Sequence, residues 1–273
     1  MSEGAPAVEF RRVRKAFGQH EVLRGVDLRV ESGSTFTILG GSGSGKSVCL
    51  KHVIGLLRAD AGQVCVLGRD VTRLSERDWV PVRRHFGMVF QGAALFDSLT
   101  VYENVAYPLR EHRDWEEERI RARVRGCLED VGLSGVEALL PAALSGGMRK
   151  RVGVARAIAL EPEIILYDEP TTGLDPANSR RIGELIRSLQ QRLRATSMVV
   201  THDLELCFSI SDHVALLRRG VVAVDGPAEE MRRSEHPELR AFLEGADDAL
   251  GGPDPRERGS HAGAAPGGGL AGG

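Results

Sequence analysis

The sequence predicts an α/β fold with a largely parallel sheet, and three observations carry this prediction. Short runs rich in Val, Ile and Phe alternate with segments of helical periodicity, which is typical of chains built from βαβ units. A glycine-rich loop joins one of these runs to a helical segment. From Leu95 to Ala143 the strand pattern gives way to apolar residues at spacings of three and four, which predicts a helical insert.

Eight runs are predicted to form strands, because each is short and rich in β-branched or other apolar residues. In chain order they are Val8 to Val13, Thr35 to Leu39, Val64 to Leu67, Gly87 to Phe90, Ile164 to Tyr167, Met198 to Thr201, Val214 to Leu217 and Val221 to Val224. The helical insert is predicted from residues that share one helix face, namely Ile120, Val124, Cys127, Leu128 and Val131.

Composition divides the chain into a folded part and a tail. Residues 1–245 have the composition of one folded domain, with the helical subdomain inserted at about 95–150. Residues 246–273 contain nine Gly and three Pro and no aromatic residue. Because such a segment has too little apolar surface to offset the entropy lost on ordering, we expect a disordered tail.

Charge and hydropathy argue against several classes of protein. The 36 Lys and Arg residues nearly balance the 38 Asp and Glu residues, so no broad basic face for nucleic acid is expected. The most apolar region, Phe36 to Leu57, is interrupted by charged side chains and is no candidate for a span of ~20 apolar residues. The first 15 residues lack the apolar core of a secretory signal. The four cysteines lie far apart without a C-x-x-C pair, so neither a zinc site nor a disulfide framework is expected in what should be a reduced, cytosolic chain.

A phosphate-binding loop is predicted between the second strand candidate and the helical pattern after it. The loop fits G-x-x-x-x-G-K-[ST] and consists of Gly40, Gly41, Ser42, Gly43, Ser44, Gly45, Lys46 and Ser47. Glycines let several backbone N–H groups face one point, and the start of the following helix adds its positive dipole end there. We expect Lys46 to neutralise β- and γ-phosphate oxygens and the Ser47 hydroxyl to ligate Mg²⁺. The motif therefore predicts a P-loop NTPase.

Two acids end a later apolar strand candidate. Asp168 and Glu169 follow the run Ile164 to Tyr167. A carboxylate that leaves a buried parallel strand beside a phosphate loop is placed to hold the Mg²⁺ shell, which we assign to Asp168. Glu169, one residue later, is the candidate for polarising the attacking water.

The segment Leu144-Ser145-Gly146-Gly147-Met148 opens a helical pattern and resembles the signature of ATP-binding-cassette (ABC) ATPases. Other parts of that family's pattern are present in order: Gln91 in the Q-loop, residues 172–175 in the D-loop and His202 in the switch loop. The resemblance covers roughly Val8 to Leu243. It implies a P-loop NTPase core with an antiparallel β subdomain and an α-helical subdomain.

The resemblance also implies a partner and the roles of individual residues. Two copies would face each other head to tail, with each ATP between the phosphate loop of one copy and Ser145, Gly146 and Gly147 of the other. Ser-Gly-Gly at a helix start is by itself a second anion site. His202 would hold the γ-phosphate and the attacking water in register with Glu169. Gln91 would sense the same site and join Ser47 and Asp168 around Mg²⁺.

Two positions of this pattern leave questions open. Phe17 matches the aromatic residue that stacks on adenine in the family, although it could instead pack beneath the first hairpin. Met148 stands where most cassettes have Gln. Because Ser145 and both glycines are kept, the contacts to the γ-phosphate are expected to remain.

Finer resemblance points to the ATPases of Mla- and Mce-type phospholipid transport systems. The runs that carry this resemblance are Gln91 to Val105, Ser145 to Val152 and Leu166 to Pro176. Met148 lies in the second run, so the resemblance implies that Met at this position is a feature of the subfamily. It implies an ATPase at the cytoplasmic face of the inner membrane, bound to a membrane permease and, through it, to a periplasmic lipid-binding protein of the Mce/MlaD type.

Alternatives remain at the level of the transported substrate and of the permease contact. The same ATPase could serve an importer of polar solutes such as amino acids, or the chain could be a non-transport cassette that acts on ribosomes or DNA. The latter generally carry two cassettes, long coiled insertions or basic arms, which this sequence lacks.

The segment after Gln91 is where a permease helix usually docks, so Ala94, Leu95, Phe96 and Leu99 are either a docking surface or core of the insert.

Overall fold

The computed structural model describes residues 5–245, so the tail predicted at residues 246–273 lies outside the described residues. The strands of the described part are β1 (Val8–Phe17), β2 (His20–Val30), β3 (Thr35–Leu39), β4 (Ala61–Val66), β5 (Arg69–Asp70), β6 (Phe86–Val89), β7 (Ile164–Asp168), β8 (Thr196–Thr201), β9 (His213–Arg218) and β10 (Val221–Pro227). The helices are α1 (Lys46–Val53), α2 (Glu76–Arg83), α3 (Val101–His112), α4 (Glu117–Asp130), α5 (Gly146–Ile158), α6 (Pro176–Leu193), α7 (Leu204–Ile210), α8 (Ala228–Arg233) and α9 (Pro237–Leu243).

A six-stranded sheet forms the centre of the molecule. Its strand order is β10-β9-β3-β8-β7-β6, and every neighbouring pair except β9 with β10 is parallel. Strands β3 and β8 are buried along their whole length, as expected where helices cover both faces of a parallel sheet. The predicted parallel sheet is confirmed. The carboxyl ends of its parallel strands meet at one edge, which is where ligands bind in α/β sheets.

A second, antiparallel sheet lies beside the first. Its order is β2-β1-β4-β5, and β1 pairs along its length with β2 and with β4. The strand prediction missed β2 and β5. In β2 the apolar residues Val26, Leu28 and Val30 alternate with exposed or charged ones, so it has no continuous apolar run.

Three helices, α3, α4 and α5, pack around a common apolar core. The residues that predicted the helical insert, Ile120, Val124, Cys127, Leu128 and Val131, are all buried in this core. Helix α3 begins at a capping box in which Thr100 accepts the Glu103 N–H and Glu103 accepts the Thr100 N–H. We call α3, α4 and α5 the helical layer.

Among residues 5–245, no helix combines the length and the apolar character that crossing a membrane requires. All four cysteines are buried, and none forms a disulfide.

Candidate functional site

The phosphate loop connects β3 to α1, and its backbone requires glycine at two positions. A side chain at Gly45, where φ is +105°, would put its Cβ 2.9 Å from the Leu23 side chain, and one at Gly40 would put its Cβ 2.4 Å from the Leu217 carbonyl oxygen. The Ser44 hydroxyl is buried in this loop without a hydrogen-bond partner among the described residues. A buried hydroxyl without a partner costs free energy, so a phosphate oxygen is a fitting acceptor for it.

Lys46 places its charge at the centre of this loop. The side chain is 7% exposed, and its Nζ donates to the carbonyl oxygens of Gly40 at 2.8 Å and Gly41 at 2.9 Å. The same Nζ lies 3.3 Å from Oε1 of Glu169. The ammonium therefore joins the phosphate loop to the acid at the end of β7.

Glu169 is held from several sides. Its backbone has a φ of +47°, in the left-handed region, and its N–H donates to the carbonyl oxygen of Val200 on β8. One carboxylate oxygen lies 2.9 Å from Nδ1 of His202 and accepts a hydrogen bond of 3.4 Å from the Thr201 hydroxyl. Left-handed backbone in a non-glycine residue persists only where its surroundings enforce it, and it is concentrated at functional sites. Sequence analysis had not identified Thr201.

Ser47 and Asp168 lie side by side. The Ser47 hydroxyl donates to Oδ1 of Asp168 at 2.8 Å. No group of three or more His, Cys, Asp or Glu side chains with metal-binding geometry occurs in residues 5–245. One hydroxyl and one carboxylate suit Mg²⁺, which prefers oxygen ligands and keeps waters and substrate phosphates in its shell. These two side chains therefore fit the predicted Mg²⁺ position.

A cavity of about 860 Å³ brings most of the predicted site residues together. Those in its lining are Gly41, Ser42, Gly43, Ser44, Lys46, Ser47, Gln91, Glu169 and His202. The lining also includes Thr172 of the predicted D-loop and residues that sequence analysis had not assigned to the site, among them Leu204, Arg219 and Phe242. The cavity lies at the carboxyl edge of the parallel strands, because β3, β6, β7 and β8 each lead into part of it.

The Ser145–Gly147 turn lies outside the lining of this cavity. Ser145 is the N-cap of α5, and its hydroxyl oxygen accepts the Met148 N–H at 3.2 Å. Its own hydroxyl proton is therefore free to be donated to another group. Ser145 and Gly146 are exposed, so the turn offers a helix N-terminus with a hydroxyl donor on the molecular surface.

Phe17 is also outside the cavity lining. Its side chain is 48% exposed at the end of β1, and the Lys15 ammonium lies 5.4 Å from the ring centroid. The ring is therefore not packed beneath the hairpin and presents a surface on which a base could stack.

Gln91 follows β6 and is contacted by a residue that sequence analysis missed. The Lys150 ammonium donates to the carbonyl oxygens of Gln91 and Glu169. Burial lowers the pKa of Lys150, and the nearby charge of Glu169 opposes that shift. Helical spacing from Gly153 and Val154 places Lys150 on the buried face of α5, and that signal could have distinguished it from its charged neighbours.

The candidate docking residues differ in exposure. Phe96 is 45% exposed, and its ring centroid lies 5.0 Å from that of Tyr107, which is 44% exposed. Ala94 is exposed, whereas Leu95 and Leu99 are partly buried. The apolar surface after Gln91 therefore consists mainly of Ala94, Phe96 and Tyr107.

Comparisons with known proteins point to one family. A family model described as ABC transporter matches residues 23–172. The Probable ribonucleotide transport ATP-binding protein mkl of Mycobacterium leprae is 41% identical over 88% of this chain and 69% of its own length. The intermembrane phospholipid transport system ATP-binding protein MlaF of Haemophilus influenzae is 39% identical over 88% of this chain and 91% of its own length. The methionine import ATP-binding protein MetN of Brucella abortus is 41% identical over 82% of this chain and 60% of its own length.

Solved structures with the same fold are ATP-binding cassettes. A dimeric cassette in a post-hydrolysis state, bound to ADP and Pi, superimposes with a TM-score of 0.75 and 32% identity, covering 81% of this chain and 98% of that chain. CbiO1 from Clostridium perfringens superimposes with a TM-score of 0.78 and 26% identity, covering 90% of this chain and 98% of that chain.

Proposed function

The chain belongs to the ABC transporter family and is an ATP-hydrolysing subunit, and we propose that it drives phospholipid transport between the inner membrane and the outer envelope. It would work at the cytoplasmic face of the inner membrane, bound to an integral permease. No role in nucleic-acid binding is proposed, since the formal net charge is −2.

The separation of the signature turn from the cavity is the observation that carries the mechanism. Lys46, Glu169 and His202 line one cavity, whereas Ser145 and Gly146 are exposed outside its lining. Since two anion-binding elements of one chain do not meet, a second copy placed head to tail would bring its turn to the cavity. ATP would then be bound between the two copies.

Within that site the side chains have separate roles. Lys46 would bind the β- and γ-phosphates, and Phe17 would stack on adenine. Ser47, Asp168 and Gln91 would hold Mg²⁺, which when bound neutralises charge on the phosphate oxygens. Glu169 would accept a proton from the attacking water, with His202 holding its carboxylate and contacting the γ-phosphate.

Release of Glu169 from Lys46 would link nucleotide binding to catalysis. The two side chains are 3.3 Å apart, so the anionic γ-phosphate would compete with the carboxylate for the same ammonium. ATP would stabilise the closed dimer, and loss of the γ-phosphate would let it open. The permease would follow this change through the surface of Ala94, Phe96 and Tyr107.

Phospholipid is favoured as the substrate by two findings. The MlaF-named relative matches over 91% of its own length, and the runs around Gln91, Ser145 and Asp168 resemble the Mla and Mce subfamily. A polar solute is the second candidate, because the MetN-named relative is equally similar at 41% identity and the mkl-named relative carries a ribonucleotide transport name.

Isolation of the intact transporter from its host tests the proposal. The tagged Glu169→Gln chain is purified with ATP from detergent-solubilised membranes, and its co-purifying proteins and lipids are identified by mass spectrometry. A permease with an Mce/MlaD-like lipid-binding protein and phospholipid is the expected result. A permease for amino acids or nucleotides would overturn the lipid assignment, and ribosomal or DNA-bound partners without a permease would overturn the transport assignment.

A further inference from the structure

We propose that Lys150 is a positioning residue that links the signature turn to the hydrolytic groups of the same chain, an inference that rests on the roles proposed above for Gln91 and Glu169. Lys150 lies in the second turn of α5, the helix that begins at Ser145, and is 6% exposed. Its ammonium contacts the Gln91 carbonyl oxygen and lies 3.4 Å from that of Glu169. A single side chain therefore joins α5 to the backbone of both residues.

The burial of this cation makes the link specific. A buried ammonium is costly unless polar partners surround it, and here the partners that it contacts directly are backbone carbonyl oxygens. These two carbonyls belong to segments after β6 and β7. Movement of α5 away from either segment would cost the buried charge one of its two carbonyl partners, so Lys150 favours joint movement of the three segments.

Helix α5 holds the segment after Gln91 at further points. Ala93 and Ala94 both have left-handed backbone, with φ values of +63° and +47°. The Arg156 guanidinium donates to their carbonyl oxygens at 2.8 and 2.7 Å, and a Cβ at Gly153 would lie 3.3 Å from that of Ala93. Two consecutive left-handed residues other than glycine are costly and need such enforcement.

Through these contacts, a displacement at one nucleotide site of the proposed dimer would change residue positions at the other site. In the proposed dimer the Ser145 turn touches the nucleotide held by the partner, and α5 carries any displacement of that turn to Lys150. Lys150 then sets the positions of Gln91 and Glu169 in its own chain. Nucleotide binding at one site would thereby raise the hydrolysis rate at the other, which appears as cooperativity in ATP turnover.

The test compares Lys150→Met and Lys150→Arg in the full chain. Met keeps an unbranched apolar stem, one atom shorter than that of Lys, and offers no donor, so we expect kcat to fall about tenfold and the Hill coefficient for ATP to move toward 1. The Kd for ATP under non-hydrolysing conditions should stay within about twofold, because Lys150 is outside the cavity lining. Arg keeps the charge and donors and should restore most of both kinetic values.

Arg151→Met is the matched control. Arg151 is the next residue of α5 and also donates to backbone carbonyls, but to those of Val131 and Gly132, which directly follow α4. Its removal should leave kcat and the Hill coefficient at parental values. A purely structural role of Lys150 would instead make the two Met variants alike in thermal stability and in kinetics, and that result would overturn the inference.

A second variant guards against misfolding. Lys150→Ser leaves room for water to bind the two carbonyls, so the fold should persist while the link to α5 is lost. Parental kcat and cooperativity in a folded Lys150→Ser or Lys150→Met chain would overturn the inference. If Glu169→Gln leaves the hydrolysis rate at the parental value, that result would instead contradict the roles on which the inference rests.

Discussion

At the residue scale, the contact between Lys46 and Glu169 is the one that nucleotide binding would change in the proposed mechanism. Both side chains are nearly buried, and a buried ion pair is stable only while each charge keeps its partner. A bound γ-phosphate would offer Lys46 a new partner and would leave Glu169 with His202 and Thr201. The phosphate loop and the Glu169 carboxylate are thus coupled by one ammonium.

Lys46→Ala should weaken ATP binding at least tenfold. The variant removes a charged donor from the phosphate site, and hydrogen bonds to charged groups contribute about 1.5–3 kcal/mol. Equilibrium binding of a fluorescent ATP analogue measures the effect. Lys51→Ala is the control, since Lys51 is exposed on the same helix. Unchanged affinity in Lys46→Ala would contradict the phosphate-loop assignment.

Glu169→Gln should keep ATP binding while hydrolysis falls by about 10²–10⁴-fold, the usual contribution of a general base. The amide keeps the size of the side chain but cannot accept the proton of water, so the ATP-bound dimer should accumulate on gel filtration. Glu163→Gln, an exposed acid that lies near His85, serves as control. Hydrolysis at the parental rate would remove Glu169 from its role.

At the element scale, the sequence predicts what depends on local pattern and misses what depends on packing. Strand β3 was predicted with its observed bounds, because it is a short run of β-branched and apolar residues beside a glycine loop. Strand β2 was missed because it is covered on one face only, and its apolar residues alternate with polar ones. Lys150 was missed for a related reason. It lies between Arg149 and Arg151, and a run of three basic residues predicts a solvent-exposed segment. Only the packing of α5 shows that Lys150 is buried.

Thr100→Ala tests whether the helical layer depends on the cap of α3. The Thr100 hydroxyl accepts the Glu103 N–H at 3.2 Å, and loss of such a cap costs about 1 kcal/mol. We expect the free energy of unfolding, measured by urea titration, to fall by about that amount. Ser98→Ala removes an exposed hydroxyl in the same loop and should change little. Equal stability of both variants would show that the cap is unimportant.

At the scale of the whole molecule, the cavity and the signature turn of one chain lie apart, which is what a site shared between two copies would require. The cavity opens at the carboxyl edge of the parallel sheet, and the Ser145 turn is exposed outside its lining. The turn packs against α6 of its own chain, since a Cβ at Gly147 would lie 3.3 Å from Oδ1 of Asn178. A residue in this turn should therefore affect hydrolysis through the partner copy.

Ser145→Arg tests this arrangement, because a bulky cation would displace the hydroxyl donor from the partner's phosphate site. ATP binding by the separate chain should persist, whereas hydrolysis should fall at least tenfold, since an anion-stabilising donor contributes about 10²–10³-fold. Mixing Ser145→Arg with Lys46→Ala chains gives the sharper result. In a head-to-tail heterodimer both defects fall in one site, and the other site is complete. Random exchange of subunits should thus restore up to about a quarter of parental turnover, the value for two independent sites, whereas a mixture as inactive as either variant alone would contradict a site shared between two copies.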